Sequence, residues 1–131
     1  MENQDKLNKP VGDKDIPRLE PKEVEIQGLR LDPKTKKGSD KVVGDLLVLI
    51  CKHPDRDELL EISKVKILKG DNLRVISLWY SEDSDGNVQK GSGIAEFMKF
   101  FGVQKLIELE GKKVMTIEQS KEESYLCIKA Y

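Results

Sequence analysis

SGIAEFMKFFG, residues 92–102, is the stretch that decides the fold of this chain. Its apolar residues recur with the period of a helix, and one stripe of that helix contains Ile94, Phe97, Met98 and Phe101. The serine at the start and the glycine at the end are residue types that cap helices. The pattern predicts a short amphipathic helix over residues 92–101, set between segments that have the pattern of strands.

Two strand patterns lie early in the chain. Residues 24–31 alternate between apolar and polar side chains, and a change of parity at Gly28 is typical of a bulge. A polar, turn-rich loop is expected over residues 32–41. The next segment is LLVLIC, residues 46–51. This short apolar run predicts a central strand that is buried on both faces.

A hairpin is predicted just before the helix. Residues 59–68 form its first strand, in which the alternation slips near Ser63, so that a second bulge is expected there. Gly, Asp and Asn at residues 70–72 favour a tight turn, and residues 73–80 form the returning strand.

Two further strands are predicted after the helix, at residues 114–118 and 125–131. The order predicts a mainly β fold, a small OB-like barrel of about five to six strands with one helix between strands. A small α+β sheet with the helix on one face would give the same order. Residues 22–131 then form one domain, and residues 1–21, which carry few apolar side chains, are expected to be a disordered tail.

Composition restricts the possible functions. The 131 residues carry a formal net charge of −1, so any nucleic-acid binding requires a local basic surface. The many Lys and Glu residues fit a thermophile as well as an ordinary soluble surface. With no apolar leader and no apolar run long enough to span a membrane, we expect an intracellular, cytoplasmic protein.

Thiol or metal chemistry is a further alternative. Its candidates are Cys51, His53 and Cys127, which could supply metal ligands or a Cys–His pair. The chain has a single histidine and two cysteines, however, and both cysteines lie in apolar strands. We predict reduced, structural cysteines, with no catalytic residues, no metal and no cofactor.

Aromatic and basic side chains occur together in several predicted strands. Trp79 and Tyr80 are adjacent, so one of them must face away from the core unless both sheet faces are covered. Rings among cations are what sequence-tolerant binding of single-stranded nucleic acid requires. The hypothesis assigns base stacking to Trp79, Tyr80 and Tyr131, and phosphate contacts to Arg74, Lys112, Lys113, Lys129, Lys36 and Lys37. The structural alternative places Trp79 in the core and the tyrosines at the rim of the barrel.

The chain from Ser92 onward resembles the C-terminal half of phage and archaeal-virus OB-fold-like single-stranded-DNA-binding proteins. In that family a helix ending in glycine is followed by a strand start of the form Leu-x-Gly-Lys-x-Val and by a closing strand with an aromatic end. The matching residues are Phe97, Phe101, Gly102, Leu109, Gly111, Lys112, Val114 and Tyr131. The resemblance implies an OB-like fold, a viral or archaeal source, non-catalytic binding of single strands, and binding roles for Lys112 and Tyr131.

A rival hypothesis is a protein-interaction or structural subunit that does not bind nucleic acid. Such a subunit, for example a homo-oligomer, would use an exposed edge strand or the apolar surface around Phe100. Phe100 lies off the main stripe of the predicted helix, so it is free to face a partner.

Overall fold

The structure, a computed structural model, describes residues 2–13, 19–35, 38, 42–120 and 125–131. These residues form a mainly β fold, which confirms the predicted class. The elements are α1 (Glu2–Leu7), β1 (Glu23–Thr35), β2 (Val42–Lys52), β3 (Leu60–Ile62), β4 (Lys64–Lys69), β5 (Asn72–Ser77), β6 (Trp79–Tyr80), α2 (Gly93–Phe101), the 3₁₀ helix η1 (Leu106–Leu109), β7 (Lys113–Glu118) and β8 (Leu126–Ala130).

One eight-stranded sheet contains all of these strands, in the order β3-β2-β1-β7-β8-β4-β5, with β6 paired to β2. Most pairs are antiparallel, and β4 with β8 is the parallel one. The path ends at β3 and β5, so the expected barrel is not closed. The pairing breaks at Ser63, where the chain passes from β3, paired with β2, into β4, paired with β8. An open sheet with helix α2 is consistent with the α+β alternative.

The predicted hairpin is present, and both of its strands are interrupted. The slip expected near Ser63 separates β3 from β4. The returning strand is divided at Leu78, because β5 pairs with β4 whereas β6 pairs with β2. The turn has Gly70 at φ 63°, a conformation that suits glycine, and it joins Lys69 to its partner Asn72.

The first strand is longer than the sequence suggested. The bulge at Gly28 is confirmed by a shift of register between Ile26 and Gly28. The loop expected from residue 32 begins later, because residues up to Thr35 pair with β2. Pro33 has no N–H to donate, but it is tolerated because β7 pairs only with the other end of β1, so that Pro33 lies where β1 is an edge strand.

Helix α2 forms where it was predicted. Ser92 caps it, since the Ser92 Oγ accepts a hydrogen bond from the Ala95 N–H at 3.2 Å. Gly102 ends the helix at φ 67°, and its N–H donates to the Lys99 carbonyl. The predicted stripe faces inward: Ile94, Phe97 and Met98 are buried, and Phe101 packs partly buried against the core.

Strand β2 lies at the centre of the core. Leu47, Leu49 and Cys51 point inward and are buried. Val48 points to the other side and is buried as well, as expected for a central strand. Arg30, opposite Val48 in β1, crosses that side of β2 to reach a carboxylate oxygen of Glu61 in β3 at 2.7 Å.

The segment before β1 is held by a buried histidine. His53 Nδ1 accepts a hydrogen bond from the Asp55 N–H at 3.0 Å, so the other nitrogen, Nε2, donates to the Glu20 carbonyl at 2.8 Å. Further along, the Thr116 hydroxyl donates to the Lys22 carbonyl at 2.6 Å. These contacts fix the chain from about residue 20 onward.

The N-terminal region before that segment includes helix α1, of six residues. Helix α1 ends in the exposed residue Leu7, and Val11 beyond it is fully exposed. The disordered tail over residues 1–21 stays a prediction. In the parts of the chain that the structure describes, no helix has the length and apolar character needed to cross a membrane.

We expect His53→Ala to destabilise the fold by about 2–4 kcal/mol, because a buried ring is lost and two backbone groups lose their partners. Urea denaturation measures this free energy of unfolding. Gln104→Ala, at an exposed position, is the control and should change stability little. Equal stability of the His53 variant and the wild type would contradict the role of His53 in holding the segment before β1.

Candidate nucleic-acid interface

Trp79 and Tyr80 point to opposite sides of the sheet, as their adjacency predicted. Trp79 lies opposite Leu46 of β2, and its side chain is 45% exposed. The indole lies over Gly44, where an added Cβ would come within 3.3 Å of the indole Cε3. The structural alternative that buried Trp79 in the core is therefore wrong.

Tyr80 is the member of the pair that packs against the core. Its hydroxyl donates a hydrogen bond to Glu82 at 2.7 Å, and this bond raises the pKa of the phenol. With its ring partly buried and its hydroxyl engaged, Tyr80 offers less surface to a base than Trp79 does.

Arg74 and Trp79 line the same groove, although they lie five positions apart and a regular strand would place them on opposite faces. The interruption of the strand at Leu78 removes that restriction. This hairpin groove lies between the β4–β5 hairpin and the start of α2, and its volume is about 280 Å³. Its polar and aromatic lining consists of Lys69, Arg74, Ser77, Trp79, Ser81, Ser92 and Glu96.

A second group of side chains lies on the outer side of four neighbouring strands, β7, β8, β4 and β5. Alternate residues of these strands belong to the core, among them Val65, Ile67, Ile128 and Ala130. Their neighbours in sequence point outward. We call this outward side the lysine face and define it by Lys64, Lys66, Lys113, Lys129 and Tyr131.

The sheet pairing brings these residues together. Lys66 lies directly opposite Lys129 in the parallel pair of β4 with β8. In the antiparallel pair of β7 with β8, Thr116 lies opposite Ile128. Continuing that register places Lys113 level with Tyr131. The lysine face therefore spans neighbouring strands, which are spaced about 4.8 Å apart.

Direct contacts connect part of the lysine face. The Lys129 Nζ lies 5.0 Å from the centroid of the Tyr131 ring, a cation–π contact. The Lys66 Nζ donates to the Gln119 carbonyl at 3.5 Å. Exposed apolar side chains lie beside the cations: Leu68, 56% exposed, pairs with Leu73, 44% exposed.

The lysines of the lysine face form no close ion pair within the described residues. Among the residues that the structure describes, no carboxylate oxygen lies within 4.0 Å of the ammonium group of any of these four lysines. Arg30, on another part of the sheet, contacts both Asp32 and Glu61. Glu25 of β1 lies directly opposite Lys113, at the edge of the lysine face where β7 meets β1.

The predicted site residues therefore fall into separate groups. Lys113, Lys129 and Tyr131 lie on the lysine face, and Lys112 is the residue before β7 in the chain. Arg74 and Trp79 lie in the hairpin groove, and Tyr80 packs against the core. Lys36 and Lys37 lie outside the described residues.

Sequence reasoning missed Lys64 and Lys66. Their alternation with Val65 and Ile67 in the segment KVKILK, Lys64–Lys69, indicates that they point outward. Their position beside Lys129 could not be predicted, because it depends on the pairing of β4 with β8 across some sixty residues of chain.

The thiol and metal candidates are held in structural roles. Burial raises the pKa of the Cys51 thiol to about 12. Burial also raises the pKa of the Cys127 thiol to about 11, although the charges of Lys66 and Lys64 oppose this rise. Both ring nitrogens of His53 are bonded to the backbone and are not free to ligate a metal.

Searches of protein-family models, of curated proteins and of solved structures find no match to this chain.

We expect both cysteines to react with a thiol reagent far more slowly in the native protein than in the unfolded chain at about pH 8, because the thiolate is the reactive form. Since both pKa values are raised by folding, ionisation favours the unfolded chain, and stability should fall as the pH rises above the ordinary thiol value of 9.0. Ser84→Cys, in an exposed turn, is the reactive control. Equally fast reaction of the native cysteines and this control would contradict the assignment.

Proposed function

We propose that this protein binds single-stranded nucleic acid without catalysing a reaction on it, and that the lysine face is the binding surface. The observation that carries the proposal is the set of four lysines on one side of neighbouring strands, with no carboxylate in contact among the described residues. Surface cations that are not held in an ion pair attract the phosphates of a nucleic-acid backbone.

The bases would contact the remaining side chains of this surface. Tyr131, half-buried at the edge of the lysine face, offers a ring for stacking, and Lys129 is already placed above that ring. The exposed side chains of Leu68, Leu73 and Met115 add apolar area between the cations. This mixture supports sequence-tolerant binding, since every base has a face that can stack.

Formal net charge agrees with a local rather than a general attraction for nucleic acid. With a net charge of −1, the chain as a whole does not attract phosphates. The proposal includes an intracellular location, and two free, buried cysteines fit a reducing compartment.

A double variant, Lys66→Gln with Lys129→Gln, tests the phosphate contacts. Each lost contact should reduce the slope of log K against log salt by about 0.7, so we expect a reduction of about 1.4 together with weaker binding. Fluorescence anisotropy of a labelled single strand measures both. Lys99→Gln, which removes an exposed lysine on α2, is the matched control. No binding by the wild type at low salt, or an unchanged slope in the double variant, would refute the proposal.

Replacement of Tyr131 tests the stacking contact. Tyr131→Ala should weaken binding by about 1–3 kcal/mol and leave the salt slope nearly unchanged, because stacking does not displace counterions. Tyr125→Ala, which removes a tyrosine that is 76% exposed at the other end of the last strand, is the matched control. Equal effects of the two substitutions would count against a specific role for Tyr131.

A protein-interaction subunit is the second candidate function. The observation that favours it is Phe100, 49% exposed on α2, whose ring meets that of Phe101 edge-on at 5.0 Å. Light scattering separates the two functions. A stable oligomer that is indifferent to oligonucleotide, and that Phe100→Ser dissociates, would favour the subunit.

A further inference from the structure

We propose that the hairpin groove is a second binding site and that it takes one nucleoside monophosphate, with the base against Trp79 and the phosphate against Arg74 and Lys69. Arg74 and Lys69 extend from the side of the hairpin opposite to Lys66 and Leu68. The groove is therefore separate from the lysine face, and its occupation does not depend on the function proposed above.

Trp79 supplies the stacking surface. Its indole is supported by the backbone of Gly44, which has no side chain to displace the ring. The side chain is 45% exposed, although Leu78 beside it is fully buried. A half-exposed indole supported from one side is a suitable surface for a planar base.

Arg74 and Lys69 supply the positive charge. Their partners across the hairpin are Ile67 and Asn72, and this register places the two cations on the same side of the hairpin as diagonal neighbours. In the described part of the chain, neither cation has a carboxylate oxygen within 4.0 Å. A guanidinium and an ammonium that both lack an ion-pair partner suit a doubly charged phosphate, and the guanidinium can bind two of its oxygens at once.

The size and the acidic residue of the groove limit the ligand. A volume of about 280 Å³ lies just below the usual range for ligand sites, roughly 300–1,000 Å³, so the groove has room for no more than one nucleotide. Glu96, on the α2 side of the groove, would accept hydrogen bonds from ribose hydroxyls or from a base amino group. The same carboxylate opposes additional negative charge, so a monophosphate is favoured over a triphosphate.

Trp79 is the only tryptophan of the chain, so intrinsic tryptophan fluorescence reports on this groove alone. The experiment is a titration of the full chain with AMP, excited at the red edge where AMP does not absorb. Adenosine alone and inorganic phosphate alone are titrated in separate experiments. We expect saturable quenching by AMP with a Kd of about 1 mM or lower, and binding at least about tenfold weaker for either arm alone.

Arg74→Gln should weaken AMP binding by at least about fivefold and leave adenosine binding unchanged, because it removes only the phosphate partner. Lys69→Gln is a second variant with the same expected direction. The Lys66→Gln, Lys129→Gln double variant should bind AMP as the wild type does, even if it no longer binds oligonucleotide. The proposal is overturned if AMP does not quench Trp79, if phosphate alone binds as well as AMP, or if both groove variants bind AMP normally while they unfold like the wild type.

Discussion

The backbone of Leu78 makes hydrogen bonds to two different parts of the sheet, and the positions of the lysine face and the hairpin groove depend on these bonds. Its N–H donates to the Ser63 carbonyl at 2.9 Å, and its own carbonyl accepts from the Leu47 N–H at 2.8 Å. Near this point both strands of the hairpin change partners. The first strand pairs with β2 through β3 and with β8 through β4, and the returning strand pairs with β4 through β5 and with β2 through β6. The fully buried Leu78 side chain fixes the crossing in the core.

This crossing separates the lysine face from the hairpin groove, although the binding residues predicted on both were expected to form a single site. Within the hairpin, β4 lies beside β8, and the pairing brings Lys66 next to Lys129. After Leu78 in the chain, β6 pairs with β2, which places the Trp79 indole over Gly44. The hairpin lies between the two groups. Tyr131 therefore lies beside the lysines, and Trp79 lies beside the cations of the hairpin groove.

Local pattern was sufficient to predict some elements and insufficient for others. Helix α2 was predicted because its stripe and both caps lie within eleven residues and agree with one another. The slip at Ser63 and the bulge at Gly28 were visible as changes of parity. The far half of β1 was not, since the ladder with β2 outweighs the poor strand propensity of Asp32 and Pro33. Closure of the sheet also depends on long-range pairing, and a barrel was expected where the pairing is in fact interrupted.

The candidate site shows the same division. Alternation within a strand is enough to place Lys129 and Tyr131 on one face. The adjacency of Trp79 and Tyr80 predicted that one of them faces outward. Which strands neighbour each other decided the rest. The parallel pairing of β4 with β8 added Lys64 and Lys66 to the surface, and no local pattern contains that information.

Binding of single strands to the lysine face can be observed residue by residue from the change of backbone amide chemical shifts when a short oligonucleotide is added at low salt. We expect the largest changes of chemical shift in β4, β7 and β8, at and around Lys66, Lys129 and Tyr131. Changes concentrated on α2 and η1 instead, or no changes at an oligonucleotide concentration well above that of the protein, would contradict binding at the lysine face.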